Sequence, residues 1–534
     1  MRRRGALRRL STWRAAACAW LTGTALTGTA HATGFAEHGA DIVVRDKVTF
    51  ELDGYLRMRA EALHNFDLDR GLTPSGQPLY PVPLGDPEGQ TLTHADMRAR
   101  TDLKVYAPGS TLAFKLRLDF LDNVTLGSRP NGVPSATTSQ LQPAEPIRVR
   151  RAYGEALLPF GVLVAGRTGN TWGLGIVANG GDCYDCDSAD SSDRIALISP
   201  ILNHYVAAAF DFSSTGPTQP RPNQNRVIGI APITATRTFT LAILKYKSDE
   251  VRERRTKAGR STLEYGGYFT HRWQNKDIPA SYIESNNPVV IGPSQVMDRS
   301  FTATAFDLWS RFTFPYGRIE AEAAILLANY DQGSLIPGLL LRDPVKSRQI
   351  GAALESHFGP KNDRYGGGLD LGYASGDSAP GFGVNQNPTG RTPRAGDLDG
   401  LQNAGRYDTR IDNFRFHPDY RIDRILFREI IGSVTDAVYL RPHGKVDLIN
   451  RESYRLQLTT AVIGSMAVYA QSTPGGKRPL GIEIDPSLVY TQRGGFQAAL
   501  DYGVLFPLAG LDNTIVGMVA KPAQMVRLRL VYAF

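Results

Sequence analysis

This sequence has very few cysteines and no long apolar run. Only 3 of its 534 residues are cysteine, whereas glycine (54), tyrosine (22) and phenylalanine (22) are plentiful. No apolar run reaches the roughly 20 residues that a membrane-spanning helix needs, and the mean hydropathy is −0.24. A helical membrane protein is therefore excluded. The composition suits one large membrane β-barrel, in which apolar and polar residues alternate and the mean hydropathy stays low.

Motifs of common hydrolases are missing as well. The chain contains no G-x-S-x-G, and none of its nine histidines is followed two residues later by serine, as an outer-membrane phospholipase would require. No grouping of Asp and His near the loop tips is typical of a protease. We therefore predict that the chain is not an enzyme.

The first 32 residues have the three parts of a secretory signal peptide. Six arginines and no acidic residue lie in the first 14 positions, a stretch rich in Ala, Leu and Thr follows, and Ala30-His31-Ala32 ends it. We predict cleavage after Ala32, because the stretch is too short and too polar for a membrane anchor. Removing six arginines from the net charge of +8 leaves about +2. Without a basic run, the mature chain is not expected to bind nucleic acid.

Alternation of apolar and polar residues is the main structural signal after residue 47. From Phe50 to Ala60 the even positions are apolar or small, and the odd positions from Glu51 to Glu61 are mostly charged. The same pattern returns over 96–105 and 112–120. Period-two alternation predicts β-strands with one apolar and one polar face. It does not by itself distinguish a soluble sandwich from a membrane barrel.

Connection lengths favour the barrel. Long polar connections alternate with short ones that carry Pro or Gly, and the short ones fall at 107–110, 159–161, 314–317, 359–360, 441–444 and 493–495. Short periplasmic turns and long extracellular loops are typical of transmembrane barrels. The sequence therefore predicts an all-β fold. We expect a transmembrane antiparallel β-barrel of about 18 strands over 48–534, or 16 if 193–212 and 450–471 contribute less, with 33–47 as a periplasmic segment.

The last residues support an outer-membrane location in a Gram-negative bacterium. Val526, Leu528, Leu530, Tyr532 and Phe534 share one face of a final strand, with arginines opposite. A terminal Phe with an aromatic residue two positions earlier resembles the signal that the barrel assembly machinery reads. We expect this machinery and outer-membrane lipid to be partners of the chain.

The polar faces of these strands supply candidate pore-lining cations. Rings of guanidinium groups would bias a pore toward anions, although acidic residues on the same faces could pair with these cations and fill a closed lumen. The candidates are Arg57, Arg59, Arg98, Arg100, Lys104, Lys115, Arg117, Arg527 and Arg529.

A glycine-rich loop over 179–193 contains both cysteines of the mature chain. In an oxidising compartment, Cys183 and Cys186 are expected to form a small disulfide. The loop could bind Ca²⁺ through carboxylate oxygens, although its spacing matches no EF-hand. An acidic loop exposed to solvent is the alternative, and no other cofactor is expected. The candidate ligands are Asp182, Asp185, Asp187, Asp190 and Asp193.

Residues 419–431 have helical as well as strand character. Tyr420, Asp423, Phe427 and Ile431 can share one helical face, so the segment could form a helix in the lumen. A plain strand is the alternative.

Two stretches resemble known barrel families. Arg150-Arg151-Ala152-Tyr153-Gly154-Glu155, with Gly166-Arg167-Thr168 and Trp172-Gly173, is similar to a hairpin of alginate-export and carbohydrate-selective porin barrels. Phe416 to Arg421 and Gly432 to Pro442 resemble a family of uncharacterised outer-membrane proteins found mainly in myxobacteria. The resemblance implies the fold and location, and an arginine-rich lumen in the alginate exporters. It implies no substrate.

Two functions fit these features. The first is a channel that passes hydrophilic, anionic or carbohydrate solutes, or exports a polysaccharide. The second is a plugged structural or adhesion barrel whose long extracellular loops bind partners. An outer-membrane enzyme is a distant third.

Overall fold

Antiparallel strands make up nearly all of the regular structure. The computed structural model describes residues 34–85, 90–127, 147–221, 224–278, 292, 295–333, 343–359, 364–385, 392–400 and 408–534. The predicted signal peptide and its cleavage site lie outside these residues. The strands are β1 (Thr49–His64), β2 (Thr91–Tyr106), β3 (Leu112–Thr125), β4 (Ile147–Leu158), β5 (Gly161–Gly169), β6 (Ser191–Ile201), β7 (His204–Ser214), β8 (Thr218–Pro220), β9 (Val227–Gly229), β10 (Thr236–Lys245), β11 (Thr262–Asp277), β12 (Met297–Phe314), β13 (Gly317–Tyr330), β14 (Val345–Phe358), β15 (Tyr365–Ala374), β16 (Ala437–Asn450), β17 (Tyr454–Ala467), β18 (Pro479–Gln492), β19 (Phe496–Pro507) and β20 (Ala523–Ala533).

Eighteen of these strands close into one barrel. Each barrel strand pairs antiparallel with the next along the chain, and β8 and β9 form a separate small hairpin. The barrel closes where β20 pairs with β1, from Tyr55 opposite Ala533 to His64 opposite Gln524. The prediction of about 18 strands is confirmed. The alternative of 16 is wrong, because β6, β7 and β17 all form within the two weaker regions.

The distribution of exposed residues is that of a membrane barrel. Phe50 and Leu52 are 65% and 59% exposed on the outside, whereas the interior side chains of Arg57, Arg98 and Arg527 are completely buried. A soluble sandwich would show the reverse, with apolar residues inside and charges in water. An apolar outer face and a polar interior are the arrangement of a barrel in lipid. No helix among the described residues is long and apolar enough to cross a membrane.

Two connections differ from the predicted pattern. Residues 441–444 do not form a turn, because β16 continues through them to Asn450. Pro442 is tolerated there because the β16–β17 ladder has no pair at 441 or 442, so its missing N–H breaks no ladder bond on that side. The connection from β10 to β11 is on the side of the short turns, but it contains helix α1 (Asp249–Lys257).

Three segments occupy the lumen. The first is the N-terminal stretch 34–42, part of the segment 33–47 that we expected in the periplasm, whereas 43–47 is mostly exposed beside the short turn at Pro108. Phe35 packs against the inner faces of β5 and β6, and Asp41 accepts a hydrogen bond from Lys115 of β3 at 2.8 Å. The second is the loop 170–190, and the third is part of the long connection 375–436.

The third segment forms a hydrophobic core inside the barrel. Phe416, Ile425, Phe427 and Ile430 of this segment pack with inward-facing residues of β15 to β20. Only part of the predicted helix over 419–431 forms. Leu426–Ile431 is a single π-helical turn, and 419–425 is irregular.

Candidate functional site in the barrel lumen

The predicted pore-lining cations lie on four neighbouring strands. β20, β1, β2 and β3 are consecutive around the barrel, and inward positions on adjacent strands fall side by side because side chains alternate with period two. Their inner faces therefore form one arginine-rich surface, which we call the arginine wall, and carboxylates of the same strands such as Glu61, Asp96 and Asp119 lie among its cations. These cations are Arg57, Arg59, Arg98, Arg100, Lys104, Lys115, Arg117, Arg527 and Arg529.

The loop 170–190 turns inward and places its acidic residues against this wall. Cys183 and Cys186 are joined by a disulfide with their Cα atoms 5.2 Å apart. Asp187 lies 3.0 Å from Arg59, 3.3 Å from Arg57 and 3.2 Å from Arg98. The sequence suggested wall charges and loop carboxylates separately, but it did not show that they pair.

The other aspartates of the predicted calcium loop point to separate places. Asp182 pairs with Arg117 and Arg151, and Asp190 lies 3.4 Å from His417. Asp193 belongs to β6 and pairs with Arg167 across the β5–β6 ladder. Within the described ranges, no group of three or more His, Cys, Asp or Glu side chains is arranged to hold a metal ion. The five carboxylates therefore do not converge on one point.

The inserted segment 415–436 contacts the loop 170–190 on one side and strand β18 on the other. Asp419 accepts hydrogen bonds from the backbone N–H groups of Asp187 and Ser188 at 2.8 and 2.9 Å. On the opposite side, Glu483 of β18 accepts three backbone hydrogen bonds at the start of the π-helical turn, from Arg424, Ile425 and Leu426 at 2.8, 2.8 and 3.0 Å.

Sequence reasoning missed a second charged surface on the far side of the lumen. Inward-facing carboxylates lie on β11 to β15 and on β18 and β19, and fewer cations accompany them. Arg311, Arg318 and Arg441 pair with some of these carboxylates. The same period-two alternation could have found this acidic wall, had it been followed through the later strands. It consists of Glu264, Asp307, Glu320, Glu322, Glu355, Asp370, Glu483, Asp485 and Asp501.

Two cavities lie beside arginines. One, of about 280 Å³, lies between the arginine wall and the insertion and is lined by Arg59, His94, Ser188, Arg421 and Arg428, with Glu61, Asp187 and Glu429 among its acidic residues. The other, of about 460 Å³, lies near the loop ends of β4 to β7. Its charged lining comprises four arginines and two aspartates, namely Arg148, Arg150, Arg167, Arg272, Asp193 and Asp211.

The electrostatics favour ionised loop carboxylates. Burial acts to raise the pKa of Asp187, but the guanidinium groups of Arg421, Arg59 and Arg57 outweigh it and hold this pKa below its usual range. Burial likewise acts against ionisation of Asp185, and arginines led by Arg428 and Arg529 hold its pKa well below the usual range. Both carboxylates are therefore charged at neutral pH.

Comparisons with known proteins identify similar folds only. No protein-family model matches the chain, and no curated protein matches it in sequence. Among solved structures it is similar to the outer membrane channel DcaP of Acinetobacter baumannii (12% identity, TM-score 0.37, covering 92% of this chain and 100% of that one). It is also similar to the anion-selective porin from Comamonas acidovorans (9%, 0.39, 91% and 100%) and to OccK11 (OpdR) of Pseudomonas aeruginosa (12%, 0.44, 92% and 98%).

At these identities the likeness concerns the bacterial outer-membrane barrel fold alone. The family resemblances seen over 147–175 and 416–442 stay predictions. A function must be argued from the residues of the lumen.

Proposed function

We propose that this chain is a porin-like channel of the outer membrane that favours small hydrophilic anions. The observation that carries the proposal is the arginine wall with a cavity of about 280 Å³ beside it, since no residue of the acidic wall lines that cavity. Barrels of 16 to 18 strands are wide enough to leave an aqueous channel. Cations that line such a channel lower the energy of an anion as it leaves bulk water.

The lumenal segments restrict the size of the solute. The loop 170–190 and the insertion 415–436 both lie against the arginine wall, and the cavity between them and the wall is about 280 Å³. A polysaccharide would require both segments to leave the lumen together. Small solutes therefore suit the geometry better than an exported polymer does.

A plugged structural barrel is the second candidate, and one observation favours it. Much of the arginine wall is already paired. Arg98 contacts Asp122 and Asp187, and Arg100 contacts Asp119. Charged side chains that pair with one another and fill the lumen would leave no pathway for ions. Ion conduction distinguishes the two candidates.

The test is single-channel recording of the refolded mature protein in a planar bilayer with a KCl gradient. We expect small, steady openings and a reversal potential that favours chloride. Arg272 of β11 lies outside the arginine wall, but it lines the larger cavity with three other arginines and has no ion pair among the described residues. Its substitution therefore tests whether arginines beside the pathway favour anions. Substituting Arg98 or Arg100 would instead break buried pairs and destabilise the fold.

Arg272→Gln should therefore weaken the preference for chloride, and Arg493→Gln is the matched control on an exposed turn outside the lumen. A silent bilayer with correctly folded protein would overturn the channel proposal. It would direct attention to the loops as binding surfaces.

A further inference from the structure

Asp185 lies in an unusual arginine environment. Its carboxylate is 2.6 Å from Arg428, 3.1 Å from Arg59, 3.3 Å from both Arg421 and Arg529, and 3.6 Å from Arg527. These residues come from β1, β20 and the insertion, and we call them the guanidinium cage. One or two arginines suffice to satisfy a carboxylate. Four of the five arginines also pair with Glu61, Asp96, Asp187, Asp419 and Glu429, so any capacity left unused lies in individual N–H groups rather than in whole arginines.

The unused capacity is visible in individual atoms. Arg527 Nη1, Arg529 Nε and Arg421 Nε are buried and donate to no hydrogen-bond acceptor within the part of the chain that the structure describes. Arg529 has Asp185 as its one ion-pair partner among the same residues. Buried, unsatisfied guanidinium donors are unfavourable unless an anion or water reaches them.

The turn that carries Asp185 is held to the barrel by arginines. Its backbone carbonyls accept hydrogen bonds from the wall, Tyr184 from Arg57 at 3.0 Å and Gly181 from Arg100 at 2.7 Å. The turn has no strand ladder with its neighbours. An incoming anion would therefore compete for the same kind of donor that holds the turn in place.

The cage is also reachable. Arg59, Arg421 and Arg428 line the cavity of about 280 Å³ as well as contacting Asp185. A small carboxylate in that cavity would meet three of the five guanidinium groups before any displacement of the turn, beside the carboxylates of Glu61, Asp187 and Glu429 that also line the cavity. Arginine binds carboxylates in a bidentate geometry that chloride cannot reproduce.

We infer that the guanidinium cage is a carboxylate-binding site that the chain itself fills with Asp185. A solute carboxylate takes over the cage by displacing the disulfide-closed turn, which then acts as a latch on the pathway. This inference rests on the proposed channel function and names its solute class and its regulation. Asp185 is a tethered competitor, because a group on a short linker has an effective concentration of about millimolar or more.

The experiment is isothermal titration of succinate into the folded protein in detergent, at constant ionic strength, alongside bilayer recording. Asp185→Asn removes the competing negative charge from the cage, so the affinity of the protein for succinate should rise by about tenfold or more over the unmodified protein, which corresponds to about 1.4 kcal/mol. Glu452→Gln is the control, because it removes a carboxylate on an exposed turn without touching the cage or either arginine-lined cavity. The control should bind succinate as the unmodified protein does.

Equal succinate affinity in Asp185→Asn and the unmodified protein would overturn the latch. If Asp185→Asn does not fold, Arg529→Gln replaces it. That variant weakens the cage, so a succinate affinity equal to that of the unmodified protein would again contradict the inference. Bilayer recording distinguishes the two proposals. If the protein conducts ions but Asp185→Asn shows no change in succinate affinity, the channel proposal stands and the latch is wrong. If no variant conducts ions, the channel proposal is wrong even where succinate binds.

Discussion

Glu483 anchors the insertion to the barrel, and replacing it by alanine tests that role. In the structure its two carboxylate oxygens accept three backbone hydrogen bonds from Arg424, Ile425 and Leu426. Each buried N–H left without a partner destabilises the fold by roughly 1–3 kcal/mol. Water entering the space vacated by the side chain would recover part of this. We therefore expect Glu483→Ala to lower the free energy of unfolding by about 3 kcal/mol, near the lower end of the summed range.

Glu483→Gln should have a smaller effect. The amide keeps one acceptor oxygen, but its NH₂ group must face a backbone N–H, so about one hydrogen bond is lost and the expected change is roughly 1–3 kcal/mol. Glu452→Gln is the matched control, because Glu452 lies on a turn with its side chain 92% exposed. It should change the free energy of unfolding very little.

The assay is urea unfolding of the refolded protein in detergent, followed by tryptophan fluorescence, with bilayer conductance as the second measurement. Release of the insertion should also enlarge the conductance of Glu483→Ala. The anchoring argument is refuted if Glu483→Ala unfolds at the same urea concentration as Glu452→Gln and conducts identically.

Three further outcomes are expected. Burial raises the pKa of Asp436 to about 7, and since a raised acid pKa stabilises the fold at low pH, stability should fall between about pH 4 and pH 7 by up to about 4 kcal/mol. The unfolding temperature should therefore change less with pH in Asp436→Asn than in the unmodified protein across that range. An equal change with pH in both proteins would contradict this. Replacing Cys183 and Cys186 by serine loosens the latch turn, so succinate should bind several-fold more tightly by calorimetry, with unchanged affinity as the opposing result. Deleting Phe534 should lower the amount of barrel that reaches the outer membrane, measured by membrane fractionation, and normal assembly would rule out its predicted role.

The wall of the barrel could be predicted from sequence because strand formation depends on local alternation. The hairpin of β2 and β3 lies where the alternation over 96–105 and 112–120 and the short connection at 107–110 predicted it. Pro442 shows the limit of such signals. It resembles a turn residue, yet it lies inside β16, where the missing ladder pair depends on β17.

The contents of the lumen could not be predicted in the same way. The contacts between Asp185 and the guanidinium cage join residues 126 or more positions apart, and no local pattern shows which long loops fold inward. The helical character of 419–431 was a partial signal, because its apolar side chains indicated burial. They did not indicate that the burial would be inside a barrel.

The position of the N-terminal stretch has a consequence for labelling the protein. Gly34 lies so near the backbone of Thr171 that an added Cβ would be 2.9 Å from the Thr171 backbone oxygen. Phe35 is buried against the inner faces of β5 and β6. In the folded barrel, the pairing of β20 with β1 completes the ring of strands that surrounds this segment. A tag attached just ahead of Gly34 would begin inside the barrel. Labels for purification or imaging are better placed in an extracellular loop.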